Sequence, residues 1–578
     1  MKKLLAYLKP YAMESVVGPL FKLLEACFEL AVPLVMAAVI DRGVPAGDRG
    51  YVLSMGAVLV GLGLLGFASS LTAQYFAAKA SMGFGTGLRQ AVFHHINTLA
   101  QVQLEQAGAP SLVTRLTVDI NQAQAGVNLV LRLFLRSPFI VIGAVLMSLF
   151  IDVKLTVIFL AASPLLALCI YLVMRFTLPM YRGIQGRLDL VSKLTRQNLS
   201  GARVIRAFSR QKDEQAAFVD ASSKLTQAQL LAGRISALLN PATFTIVNLA
   251  VLCILWFGGV RVNAGQLSQG QLIALINYMS QILLALVALA NLIISMTRAT
   301  ASMQRIAELM AIKPTVVDRA VAVPTPESGA AKLAFQNVYF SYPGAQDFAL
   351  SAIDFAVRQG QWIGVIGGTG SGKSTLVNLI PRFFDPSAGV VLLDGRPLQD
   401  YPLKVLRNRV GIVPQRVSLF RGTIRSNLLF GNEKASEEDL WRALEIAQAA
   451  DFVREKEDGL DAPVLQDGKN LSGGQRQRLT IARALVKRPQ ILILDDSASA
   501  LDYATEAALR KALRENGFGT TVFVVSQRVA SIQNADAILV LEDGHMAGFA
   551  SHGALYQTSE VYKEICHSQL KSEEVRRG

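Results

Sequence analysis

The chain has little cysteine, and what it has is scattered. Its 578 residues hold four cysteines, Cys27, Cys169, Cys253 and Cys566, far apart in sequence. No C-x-x-C pair and no Cys/His metal spacing occurs. Three of the four lie in apolar runs, where a thiol acts as a small hydrophobe. Charge is also scarce. Charged residues make up 17% and hydrophobic residues 52%, with a mean hydropathy of +0.37. That balance excludes a wholly soluble protein and points to membrane spans. A basic patch interleaved with aromatics is missing, so the net charge of +14 is not a nucleic-acid footprint. No nucleic acid is expected as a partner. In a membrane protein, Lys and Arg collect in cytoplasmic loops instead. After Met1-Lys2-Lys3 the first apolar segment carries no small-residue cleavage signal. It reads as a retained helix entered from the cytoplasm.

The apolar excess is concentrated in residues 14–300, while 330–578 have the mixture of an ordinary α/β domain. Six spans are expected, at about 15–40, 52–78, 128–151, 155–179, 239–261 and 270–297, each long enough to cross a bilayer. The links after spans two and four are long and polar, with amphipathic helical pattern. The link after span four holds ten basic residues, from Arg182 to Arg234, whereas the opposite links hold only isolated ones such as Arg42, Lys154 and Arg261. This bias puts the long links, both termini and the C-terminal domain in the cytoplasm of a multi-pass cell-membrane protein surrounded by lipid. The expected organisation is an all-α, six-helix transmembrane domain over 1–312, then a linker over 313–330. An α/β domain over 331–568 and a charged tail over 569–578 follow. The linker is marked by Lys313-Pro314, Pro324, Pro326 and Gly329.

Charges within spans call for an account. Lys22, Glu25 and Glu29 fall on one face of the first span. They either line a wet substrate cavity, or pair among themselves and with a neighbouring helix. Arg132 and Arg136 share a face near the cytoplasmic end of span three, where snorkelling to headgroups is expected. Pro33, Pro138 and Pro164 are candidate kinks.

The strongest motif is Gly367-Gly368-Thr369-Gly370-Ser371-Gly372-Lys373-Ser374-Thr375. It fits G-x-x-x-x-G-K-[ST], with an apolar strand-like run before it and a helical run after it. Its glycines let backbone N–H groups curl round a polyphosphate. Lys373 is expected at the β- and γ-phosphates of a nucleotide and Ser374 at Mg²⁺. Other short elements accumulate around it. Tyr342 could stack on an adenine ring. Val413-Pro414-Gln415 and Leu471-Ser472-Gly473-Gly474-Gln475 come later. The strand-like Ile491–Leu494 ends in Asp495, a carboxylate suited to hold Mg²⁺ through water. Ser499-Ala500-Leu501-Asp502 follows, and then a strand-like run ending at Gln527.

These motifs, in this order and behind six spans, resemble those of a half-transporter of the ATP-binding cassette exporter family. The resemblance covers nearly the whole chain. It matches Tyr342 to the family's A-loop, Gln415 to the Q-loop (a further Mg²⁺ ligand), Leu471–Gln475 to the signature and Ser499–Asp502 to the D-loop. Leu116-Thr117-Val118-Asp119 and Asn198-Leu199-Ser200-Gly201 resemble stretches of the intracellular loops that rest on the cassettes. The family implies two cassettes that sandwich two ATP molecules, each held by one chain's P-loop and the other chain's signature. One chain has one cassette, so a dimer is implied.

Two positions depart from the family pattern. The glutamate that usually follows the metal carboxylate and orients water is Asp496, and the switch histidine is Gln527. The shorter carboxylate sits more than about 1 Å back, and a misplacement near 1 Å can cost on the order of a hundredfold in rate. Glutamine can bond a phosphate but carries no charge and shuttles no proton. The chain therefore resembles the degenerate-site subunit of a bacterial heterodimeric exporter of drugs, lipids or peptides. Its expected partner has Glu and His at these positions. Alternatives are an importer of metal chelates on the same scaffold, or an ATP-gated channel or regulatory subunit.

Overall fold

The computed structural model describes residues 2–318, 327, 329–497, 501–516 and 519–577. The chain divides into two compact units. Met1–Asn97 and Pro110–Ile312 form the first, and Thr98–Ala109 with Lys313–Gly578 form the second.

The first unit is helical. Among the described residues, six helical stretches are long and apolar enough to cross a membrane: Ala6–Ala46, Arg49–Thr98, Ala109–Ile151, Val153–Ser200, Gln211–Asn263 and Gln269–Ala311. Each contains one expected span, but most run well beyond it. The second and fourth continue far past residues 78 and 179, through Gly83, Gly85 and Gly87 in one and Pro179, Gly183 and Gly186 in the other. Phe84, Leu88, Val92 and Ile184 are buried along the extensions, so that packing holds the helix where propensity alone is poor. The long polar links are therefore largely helix. Hydropathy marks where apolar surface ends, not where the backbone hydrogen-bond ladder ends.

Apolar side chains point both ways. Phe159, Ile254, Tyr278, Met279 and Ile282 form the interior, while Leu53, Phe150 and Trp256 are more than 70% exposed, as a lipid-facing surface requires. The buried Tyr278 hydroxyl donates to the Leu30 carbonyl at 2.7 Å, tying the sixth span to the first. Pro33 and Pro164 lie inside helices. Pro138 lies in the first turn of Arg136–Ile151, just past a break after Leu133, where its missing N–H costs no bond.

Lys22, Glu25, Glu29 and Arg136 are paired. Lys22 donates to Glu25 at 2.5 Å and to Ser70 at 3.1 Å. Arg136 donates to Glu29 at 2.6 Å and lies 4.0 Å from Glu25. This corrects the snorkelling expectation for Arg136. Its guanidinium turns inward because two carboxylates on the first span offer it opposite charge, and an unpaired charge in an apolar medium is costly.

The second unit is built on a sheet. Its strands are β1 (Leu333–Phe340), β2 (Leu350–Val357), β3 (Trp362–Gly367) and β4 (Ala388–Leu393). Next come β5 (Arg396–Pro397), β6 (Val410–Val413), β7 (Gly422–Thr423) and β8 (Pro463–Val464). The last four are β9 (Ile491–Asp495), β10 (Thr521–Val525), β11 (Ala537–Glu542) and β12 (His545–Ala550). Ten join in the order β5-β4-β1-β2-β12-β11-β3-β10-β9-β6, and β7 pairs with β8 separately. The centre, β11-β3-β10-β9-β6, is parallel. All residues of β3, β9 and β10 are buried. That is why these runs read as continuously apolar rather than alternating. One core layer holds Leu376, Leu379 and Phe523, and the other holds Leu444, Leu479 and Tyr562. The helix Glu560–Arg577 passes through the expected tail boundary at 568 without a break.

Candidate nucleotide site

Parallel strands carry their loops to one edge, and ligands collect at the carboxyl ends of such strands. Here β3 ends in the P-loop, β9 in Asp495 and β10 just before Gln527. The loop after β3 closes tightly. A Cβ on Gly367 would meet the Leu541 carbonyl oxygen at 2.1 Å and the Ser371 Oγ at 2.6 Å. Gly372 has φ +94°, and a Cβ there would meet the Ala349 carbonyl oxygen at 2.8 Å. Both positions need glycine, one for close approach and the other for its left-handed backbone. The helix Lys373–Leu379 follows directly.

Lys373 folds over the loop, its Nζ donating to the Gly367 and Gly368 carbonyls at 2.9 and 2.6 Å. Burial lowers its pKa below the ordinary lysine value, and the charges of Asp495 and Asp496 oppose that. Ser374 donates to Asp495 at 3.2 Å. Burial raises the Asp495 pKa, the Ser374 bond lowers it, and the neighbouring Asp496 charge raises it further. A hydroxyl and a buried carboxylate in contact form an oxygen donor set that fits a hard divalent cation. Gln415 donates to Asp496 at 3.4 Å, at the long end for a hydrogen bond. Asp496 has φ +47°, a backbone conformation that short polar side chains tolerate. Tyr342 packs edge-on against Phe340 and Phe384, and its hydroxyl lies 2.9 Å from the Thr375 Oγ1.

These groups share one cavity of about 280 Å³. Tyr342, Thr369, Gly370, Gly372, Lys373, Ser374, Thr375, Gln415, Asp495, Asp496 and Gln527 all line it. Gly367, Gly368 and Ser371 shape the loop without being among the lining residues. Ala349, Val525 and Ser526 also line it and carried no motif. The parallel strand leading to Gln527 could have pointed to the last two.

The segment Leu471–Gln475 is not among the lining residues. It starts the helix Gly473–Leu485, where the Gln475 N–H donates to the Ser472 Oγ and the Ser472 N–H to the Gln475 Oε1, at 3.2 and 3.0 Å. This is a capping box, which fixes the segment's backbone without using any cavity group. Asp502 caps Tyr503–Asn516, accepting from the Thr505 N–H at 2.8 Å and the Thr505 hydroxyl at 2.9 Å. These bonds lower its pKa. Leu501 is buried. Ser499 and Ala500 lie outside the described residues.

The two stretches that resemble intracellular loops both lie in the first unit. Leu116–Asp119 belongs to the first unit, where Asp119 is held by Arg305 through a bond of 3.0 Å from Nε and a second from its other arm. Asn198–Gly201, also in the first unit, ends a helix there, with Asn198 donating to Glu214 at 2.9 Å. Thr98–Ala109, which carried no motif, is the stretch of that region that packs with the second unit. It contains the helix Gln101–Ala107. Val102 is buried in the core beside β1 and β2. Gln103 donates to the Lys313 carbonyl at 2.7 Å.

Comparison with known proteins agrees with this architecture. Residues 16–286 match the ABC transporter transmembrane region, and residues 350–499 match the ABC transporter model. An ABC transporter ATP-binding protein of Mycobacterium tuberculosis is 35% identical over 570 residues, covering 98% of this chain and 97% of the relative. The ABC transporter ATP-binding protein YfiB of Bacillus subtilis is 36% identical over 573 residues, 99% of each. An ATP-dependent lipid A-core flippase of Chromobacterium violaceum is 31% identical over 577 residues, 99% of this chain and 97% of that one. Among solved structures, a bacterial Atm1-family ABC exporter with ATP bound is similar in fold. Its TM-score is 0.80 at 24% identity, over 98% of this chain and 99% of that chain.

Proposed function

The chain belongs to the ABC transporter family, as an ATP-driven exporter with membrane region and ATP-binding domain in one polypeptide, and on that premise we propose that it works as the weakly hydrolysing half of a heterodimer. It is a multi-pass membrane protein whose ATP-binding domain is cytoplasmic. In the proposed role its own P-loop takes up MgATP and releases it uncleaved more often than it cleaves it. Lys373 and the loop N–H groups hold the phosphates, Tyr342 faces the base, and Ser374, Asp495 and Gln415 hold the Mg²⁺ that arrives with the nucleotide. Held there, Mg²⁺ would supply charge neutralisation at the phosphate oxygens.

One observation carries the reading. Asp496 and Gln527 stand in the same cavity as an otherwise complete set of binding groups, Lys373, Ser374 and Asp495. The carboxylate is short by one methylene and the switch side chain has no titratable proton. The signature, Leu471–Gln475, matches the family in full and serves the partner's ATP. The partner carries Glu after its metal carboxylate and His at its switch. Copurification of the two chains tests this. Glu→Gln at the partner's base abolishes turnover, and Asp496→Asn here changes it less than about tenfold. Equal losses from the two substitutions contradict the reading.

The substrate class proposed is amphipathic: a drug, lipid or peptide with an apolar body and a polar end. A groove of about 570 Å³ in the first unit supports it. Apolar side chains of the fourth and sixth spans, such as Ile170, Met174, Leu286 and Leu289, line the groove together with Arg175 and Arg182. The relative named as a lipid A-core flippase acts on a molecule of that character. ATP-dependent accumulation of a fluorescent phospholipid or dye in inside-out vesicles checks both class and direction. Accumulation only in right-side-out vesicles refutes export.

A further inference from the structure

The switch position stands where β10 gives way to the four-residue helix Val529–Ile532. Such a turn leaves orphan backbone groups at the helix start. The residue before the helix, Arg528, makes no side-chain cap bond. The groups are met from far along the chain. Gln569 donates its Nε2–H to the Gln527 carbonyl at 2.6 Å. Its Oε1 accepts from the Val529 N–H at 2.8 Å. One side-chain amide thus grips the backbone on both sides of Arg528, with a donor for the carbonyl and an acceptor for the N–H. Among side chains of this length only glutamine offers both at once.

Gln569 is held where it can do this. It lies on the helix Glu560–Arg577, one face of which carries Tyr562, Cys566 and Gln569 at i, i+4 and i+7. Tyr562 and Cys566 are 0% and 4% exposed, in the core layer that also holds Ile532. The helix is therefore anchored one and two turns before the amide, in the same core layer as Ile532, the last residue of the short helix that follows the switch.

We propose that Gln569 is a positioning residue for the nucleotide site, setting the backbone at Gln527 so that the side chain of Gln527 meets the terminal phosphate. A charged histidine attracts a phosphate over several ångströms. A neutral amide acts only through short, directed bonds and depends more on where its backbone is fixed. The C-terminal helix is in this way part of the site's sensing of ATP against ADP. The inference rests on the reading of Gln527 as the residue at the γ-phosphate.

The test uses the full-length protein in lipid nanodiscs, in whatever complex it is isolated. The chain is photolabelled with 8-azido-ATP on ice with Mg²⁺, and labelling is competed with ATP or with ADP. Gln569→Ala removes both bonds. Gln569→Glu keeps shape and the bond from Val529 but sets a carboxylate against the Gln527 carbonyl. Both weaken competition by ATP about five- to tenfold, the range of one or two lost hydrogen bonds, and leave ADP within about twofold. Gln527→Ala does the same, and adding Gln569→Ala to it costs nothing further. Equal losses for ATP and ADP make Gln569 a merely structural cap and overturn the proposal. So does an unchanged ATP preference, or additivity in the double variant. If Gln527→Ala itself leaves the ATP preference intact, the reading of Gln527 falls first and the proposal with it. If Gln527→Ala removes the preference but Gln569→Ala does not, only the proposal falls.

Discussion

One methylene separates Asp496 from the glutamate that the family's hydrolytic pattern places there, and the proposed division of labour rests on that shortfall together with Gln527. Neighbouring titrations give the cavity a pH signature. Burial holds the Lys373 pKa below the ordinary 10.5. A phosphate binds best to the protonated ammonium, so affinity is full below the lowered pKa and falls as pH rises through it. ATP affinity of the nucleotide-free protein should therefore decline at lower pH than an ordinary lysine would dictate, with proton uptake on binding growing toward the alkaline side. Calorimetry in two buffers of different ionisation enthalpy measures this; a flat profile up to the ordinary lysine range contradicts it. At this scale the sequence was highly legible. Lys373 and Ser374 open a helix, Asp495 ends an apolar strand and Gln527 stands two residues past another, and motif spacing locates them. Ala349 was not legible, because it reaches the cavity only through the packing of the β1–β2 turn against Gly372. Neither was Gln569, whose partners lie about forty residues away and whose role depends on the fold alone.

Helices and strands were legible in kind and less so in extent. Apolar runs located six spans, but in the second and fourth the helix continues past them, through polar sequence that contains Gly83, Gly85, Gly87, Pro179, Gly183 and Gly186. Thr98–Ala109 shows the limit most clearly. Its short helix looks like part of an ordinary polar link, and only the burial of Val102 and the bonds of Gln103 assign it to the second unit. Charges in the first span were legible as a face and, in one of the two readings, as pairs among themselves and with a neighbouring helix. Such pairs are what Lys22–Glu25 and Arg136–Glu29 form; Arg136 as that partner was not legible. Lys22 is 6% exposed and bonded to Glu25. Removing one partner of a buried pair leaves a bare charge, at a cost of about 3–5 kcal/mol, whereas replacing both is often near neutral. Lys22→Met should therefore destabilise the protein strongly, and Lys22→Met with Glu25→Leu much less. Thermal inactivation of the purified protein in lipid reads the difference. Equal stability of the single and double variants would mean the pair is too wet to matter.

For the whole molecule, order and completeness of motifs did most of the work. A P-loop alone indicates nucleotide binding. A P-loop followed by an intact signature, behind six spans, indicates an ABC transporter chain, and in the role proposed above the signature completes another chain's site. The signature segment is not among the residues that line the P-loop cavity, and its Ser472–Gln475 capping box fixes its backbone. What sequence did not supply is the identity of the transported molecule, because span composition records lipid contact as strongly as substrate contact. The central claim is that this chain holds ATP without cleaving it efficiently. The most direct measurement is steady-state ATP hydrolysis by the full-length chain purified alone in nanodiscs, beside the double variant Asp496→Glu, Gln527→His. The wild-type chain should bind ATP yet turn over well below about 1 s⁻¹ per site, and the double variant should gain at least about tenfold. A wild-type rate of several per second, unchanged in the variant, would contradict the account.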